Sequence, residues 1–139
     1  MQRWTSEPLA IPKAEGAPFA AAEVSFEDLR HDGASFVVRV HLNAPDADED
    51  TAPAARFTVF AHGDCWGDAG HCEVVTDPVS PFDRRPAHPL TPRNLSVDVT
   101  DALKALGDVD EVTVTALAFA VDDTAEPLRF GRLTLVTYD

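Results

Sequence analysis

From residue 21 onward, apolar residues recur at every second position. Phe36, Val38, Val40 and Leu42 alternate with Val37, Arg39 and His41. A period of two places one set on a core face and the other on the opposite face, which a strand does and a helix does not. The same alternation marks Val24 and Phe26, then Phe57, Val59 and Ala61 against Thr58, Phe60 and His62. It returns at Leu95, Val97 and Val99, at Val112, Val114, Ala116 and Ala118 within 111–121, and at Leu133 and Leu135 within 128–138. His31-Asp32-Gly33 and residues 122–127 carry turn chemistry. Thr100 to Gly107 is the one helical stretch, with Thr100 expected as N-cap, Asp101 in the first turn and Gly107 as the stop. Six to seven strands with one short helix predict an all-β, antiparallel β-sandwich over residues 21–139. A chain of 139 residues is long enough to bury one core of this kind.

Three segments lack the period. Residues 1–20 hold Pro8, Pro12 and Pro18 among alanines and predict an extended arm or linker. Residues 43–55 are rich in Asp, Pro and Ala and predict an exposed loop. Residues 73–94 contain Pro78, Pro81, Pro86, Pro89 and Pro92, which argues against a central strand because proline cannot donate to a ladder.

The formal net charge of −13 argues against nucleic-acid and anionic-membrane partners, which both require a positive footprint. No apolar run has the length of a membrane span, and Met1-Gln2-Arg3-Trp4-Thr5 lacks the apolar centre of an export signal. The expectation is a cytoplasmic protein, or a piece of a larger one.

Chemistry concentrates between Phe60 and Cys72. This run carries both cysteines, Cys65 and Cys72, the histidines His62 and His71, and Trp66 among glycines. Thiolate and imidazole suit Cu(I) or zinc, so Cys65, Cys72, His62 and His71 are the candidate metal ligands. Their spacing matches no standard zinc motif, and adjacent residues such as His71 and Cys72 diverge on extended backbone. The alternatives are a glycine-rich loop closed by a disulfide, or one holding two buried thiols. Trp66 is either a plug for the chain's own core or an anchor for a partner. Further on, Phe82, Arg84, Arg85, His88 and Leu90 form a small basic and apolar island in an acidic chain. Its guanidinium groups can clamp carboxylates of a partner, or pair internally with Asp83 and pin the loop. Asp46 to Asp50 is a run of acids without the spacing of an EF-hand. No serine sits in a nucleophile elbow, and no catalytic constellation stands out.

Three stretches resemble the C-terminal accessory domain of the polyphenol oxidase, tyrosinase and haemocyanin group of type-3 copper proteins. Ser35-Phe36-Val37-Val38-Arg39-Val40-His41-Leu42-Asn43 resembles the plant enzymes' "KFDV" strand, which ends in Asn. Leu95 to Gly107 resembles their strand-then-helix segment, and Val112-Thr113-Val114-Thr115 the strand that follows. That group's catalytic domain holds two coppers on six histidines; this chain has five histidines in all and no helix to present them in pairs. The resemblance therefore implies the accessory domain alone. It implies a non-catalytic module that docks on a tyrosinase-like copper protein, shields its active site, stabilises it or assists copper loading. The partner-facing residues are then Trp66, Phe82, Arg84, Arg85, His88 and Leu90. No cofactor is expected beyond copper held in transit. The alternatives are a free-standing Cu(I) or zinc carrier using the cysteine loop, or a purely structural assembly module.

Overall fold

The computed structural model describes residues 1–13, 18–63, 72, 81–82, 89–122 and 126–139. Among these described residues, nine strands and one helix follow in order: β1 (Gln2–Thr5), β2 (Leu9–Ala10), β3 (Ala21–Leu29), β4 (Phe36–Leu42), β5 (Ala55–Val59), β6 (Arg93–Asp98), α1 (Thr100–Ala105), β7 (Glu111–Val112), β8 (Val114–Ala120) and β9 (Arg132–Tyr138). One sheet has the order β1-β8-β4-β5 and the other β6-β3-β9, with β2 and β7 forming a short pair beside them. Every strand pairing is antiparallel. The sheets pack as a sandwich, so the all-β, antiparallel architecture expected from the alternation is the one found.

The period-two faces are the inner faces. Phe36, Val38 and Val40 of β4 lie against Ala120, Ala118 and Ala116 of β8 in register, and all but Ala120 are buried. Val24, Phe26 and Leu29 of β3 complete the core from the other sheet, with Leu133 and Leu135 of β9. Four rings run through this core. Trp4 meets Phe130 edge-on at 4.9 Å between centroids. Phe130 meets Phe26 at 5.2 Å, and Phe26 meets Phe57 at 5.2 Å. Edge-on and tilted contacts are the favourable ones for aromatic quadrupoles.

The N-terminal segment is extended, and it also supplies strands. β1 pairs with β8 from Gln2↔Ala118 to Thr5↔Thr115, and Trp4 points to the inner face. The Gln2 amide donates to the Leu128 carbonyl at 3.1 Å and its oxygen accepts from the Leu128 N–H at 2.8 Å. Proline at position 8 interrupts the ladder only briefly. The Ser6 N–H donates to the Val114 carbonyl and the Ser6 hydroxyl accepts from the Val114 N–H, after which β2 pairs with β7.

α1 closes one end of the sandwich, burying Leu103 against the start of β3. Thr100 does not cap it. The Asp98 carboxylate accepts from the Thr100 N–H at 2.7 Å, while the Thr100 hydroxyl accepts from the Ala22 N–H of β3 at 2.9 Å. The threonine is the first helical residue and its oxygen serves the neighbouring sheet, while Val99 holds the N-cap position with no side-chain cap bond. Gly107 ends the helix with φ at +78°, the left-handed conformation glycine adopts without strain.

Strand β5 stops at Val59, and Phe60 is 83% exposed, on the face opposite Val59 where the alternation puts it. On β4, His41 lies on the outer face as the period requires, yet it is only 2% exposed. The loop after β4 is not wholly solvated: Ala47 is buried and the segment lies over the outer face of its own sheet.

Candidate functional site

The end of the sandwich opposite α1 is built from the turn after β3, the end of β5 and the start of β6. β3 and β6 lose register between Phe26 and Leu29, where Asp28 adopts a positive φ of 55°. A bulge of this kind bends a strand and re-aims its neighbours. The Asn94 side-chain oxygen accepts from the Asp28 N–H at 3.1 Å and steadies the bend. Beyond it, Asp32 is paired with Arg30 at 2.5 Å and Arg129 at 2.7 Å. The Arg30 hydrogen bond, chiefly, holds the Asp32 carboxyl below the usual carboxylate range.

The turn places His31 at the centre of this end. Its ring is 8% exposed, and Nε2 lies 2.7 Å from the Thr91 carbonyl. A carbonyl only accepts, so Nε2 carries the proton and Nδ1 is the acceptor nitrogen. The His31 carbonyl in turn accepts from the His62 N–H at 2.9 Å, and the Ser35 hydroxyl accepts from the Ala61 N–H at 3.0 Å. These bonds fasten the chain leaving β5 to the turn after β3. Between them lies a groove of about 500 Å³. Leu29, Val59 and Leu95 give it apolar walls, Phe60 stands on it, and His31, His62, Asn94 and Arg93 supply polar groups. An apolar cleft with a few convergent polar groups is the general form of a binding site.

Of the residues singled out from the sequence, His62 lines this groove. Leu90 is half-buried and donates its N–H to the Cys72 carbonyl at 2.9 Å. Phe82 is 90% exposed. Cys72 is disulfide-bonded. Cys65, Trp66, His71, Arg84, Arg85 and His88 lie outside the described residues. Among the described residues, no three His, Cys, Asp or Glu side chains are grouped to hold a metal ion, and no helix is long and apolar enough to cross a membrane.

No family model, curated protein or solved structure matches the chain. What it does therefore has to be argued from its own residues. His31 is the member of the groove that sequence reasoning passed over. It sits in His31-Asp32-Gly33, where the aspartate and glycine announce a turn and the histidine adds no signal of its own. Its partner Thr91 is sixty residues away in sequence, so nothing local reveals the contact.

Proposed function

We propose that the chain is a non-catalytic accessory module that binds a larger protein through the end of the sandwich holding this groove. The observation that carries the reading is the groove itself, with the Phe60 ring 83% exposed beside apolar walls. A large ring left in water next to an apolar cleft favours a partner that covers both. The partner class we propose is a type-3 copper protein of the tyrosinase-like group. Its support is the resemblance in Ser35–Asn43, Leu95–Gly107 and Val112–Thr115. Two of those stretches meet: Asn43, at φ 50°, donates its backbone N–H to the Thr113 carbonyl at 2.9 Å, and its side-chain oxygen accepts from the Thr113 N–H at 2.9 Å. The role needs no chemistry from this chain beyond shielding, stabilising or loading the partner.

Co-expression with a tyrosinase-like copper protein tests this. The wild-type chain should co-purify with it and change its copper content or activity. Phe60→Ser and Trp66→Ala should each weaken the complex at least tenfold while leaving the isolated domain folded, as expected for aromatic anchors contributing about 2 kcal/mol or more. A copper protein with the same solubility, copper content and activity with or without the chain would overturn the reading.

The finer reading is that copper passes through the cysteine loop as cargo. A disulfide sulfur is a poor ligand, so this role belongs to the reduced protein. Reduced chain should then bind about one equivalent of Cu(I) through soft ligands. A Cys65→Ser, Cys72→Ser double variant should bind none, and unchanged stoichiometry in that variant removes the loop as the site.

A further inference from the structure

His41 is a buried ionisable side chain with no assigned task. It is 2% exposed, and neither Nδ1 nor Nε2 has a hydrogen-bond partner. Its register partner on β8 is Thr115, which is fully buried and shares its hydroxyl bond with Thr5 of β1 at 3.1 Å. The cover comes from the loop between β4 and β5. Ala47 is buried there, and two arginines of the sheet's outer face grip the loop backbone. Arg3 of β1 donates to the Ala47 carbonyl at 2.5 Å, and Arg39 of β4 donates to the Glu49 carbonyl. The loop is otherwise self-ordered, because the Asp48 carboxylate accepts from the Asp50 N–H, the Thr51 N–H and the Thr51 hydroxyl.

We infer that His41 is the trigger of an acid-operated latch, in which protonation of its imidazole releases the 43–54 loop from the outer face of the four-stranded sheet. A neutral imidazole without partners is tolerated under a lid, although it costs more than an apolar side chain would. An imidazolium there has a full charge and two N–H donors that meet no acceptor in hydrogen-bonding geometry. The charged groups on the surrounding elements are Arg39 on its own strand, Arg3 on β1, Arg56 on β5, and Asp46, Asp48, Glu49 and Asp50 on the loop. β8 contributes the neutral Thr115 directly opposite it. Burial is the largest influence and holds the imidazole below its ordinary value of 6.5. The Ala52 backbone, near the ring but outside hydrogen-bonding geometry, opposes this; Arg39 reinforces it and the Asp48 carboxylate opposes it.

The sign follows directly. With the loop open, the imidazole takes a proton at its ordinary value; with the loop closed, it resists. The closed state is therefore fully favoured above pH 6.5 and loses ground as the pH falls below it. The Thr51 hydrogen bond, chiefly, holds the Asp48 carboxyl below the usual carboxylate range.

NMR on the ¹⁵N-labelled full chain, from roughly pH 7.5 to 5.5, tests the latch. The His41 ring should titrate below its ordinary value. Amide protection at Ala47, Asp50 and Thr51 should fall about five- to tenfold over the same range, once corrected for intrinsic exchange. Protection in the β4–β8 ladder should hold. In His41→Phe the loop amides should show no such change. An unshifted His41, a loop indifferent to pH, or the same loop response in His41→Phe would overturn the inference. If that variant does not fold, the wild-type ring and loop still decide the question through the coincidence of their midpoints.

Discussion

Phe26→Ala should destabilise the domain by about 3–5 kcal/mol, the largest loss expected from any single truncation here. The ring is fully buried and touches both Phe57 and Phe130. Through Phe130 it also supports Trp4, so its removal leaves a cavity bordered by the Phe57 and Phe130 rings, with Trp4 behind Phe130. Those rings belong to β1, β5 and the segment before β9, and they cannot collapse together without moving backbone in both sheets. Thermal or urea unfolding reads the effect directly. A midpoint within about 0.5 kcal/mol of wild type would mean that the aromatic row does not hold the two sheets together.

Deleting residues 1–12 should remove most of the stability of the domain, roughly 5–15 kcal/mol for a fold of this kind. A linker or loose arm would leave the melting transition where it was. These residues are instead the edge of a sheet. Their loss strips β8 of its whole ladder on one side, takes Trp4 from Phe130, and breaks both Gln2–Leu128 bonds. Ile11, buried in the same core, goes with them. The expected product is a chain without cooperative unfolding, and circular dichroism on heating distinguishes it from a trimmed but intact domain.

The contrast between these two experiments shows what the sequence exposes and what it hides. β3, β4, β5, β6, β8 and β9 announce themselves because each has one face in the core, and period two survives wherever that holds. β1 does not. Its four residues are too few for a period to emerge, and Pro8 suggests a linker to any local reading. Strand β8 is buried on both faces at Thr115 and Leu117, so its alternation is real but only half its burial is legible. His41 shows the same limit. Its face is correctly placed by the period, yet whether an outer face meets water or a folded-back loop depends on Arg3 and Arg39 reaching across strands. The groove was half visible: His62 stands out beside the cysteine run, whereas His31 enters only through a bond to a backbone sixty residues distant. Thr100 begins the helix instead of capping it, and its hydroxyl serves β3, a tertiary demand no helix signal contains.

The pairing of β1 with β8 sets the order in which this chain can fold. Gln2 to Thr5 are synthesised long before their partners, residues 115–118. The central strand of the other sheet waits equally long, since Ala21 to Glu27 pair with residues 132–138. Neither sheet can therefore close until residues 115–138 exist, and the loop-closure entropy falls due before most of the core contacts reward it. Trp4, Val24 and Phe26 spend that interval without their final neighbours, in a nascent chain whose strong negative charge favours mutual repulsion over association. In this protein the strands made late, β8 and β9, give the strands made early, β1 and β3, their place.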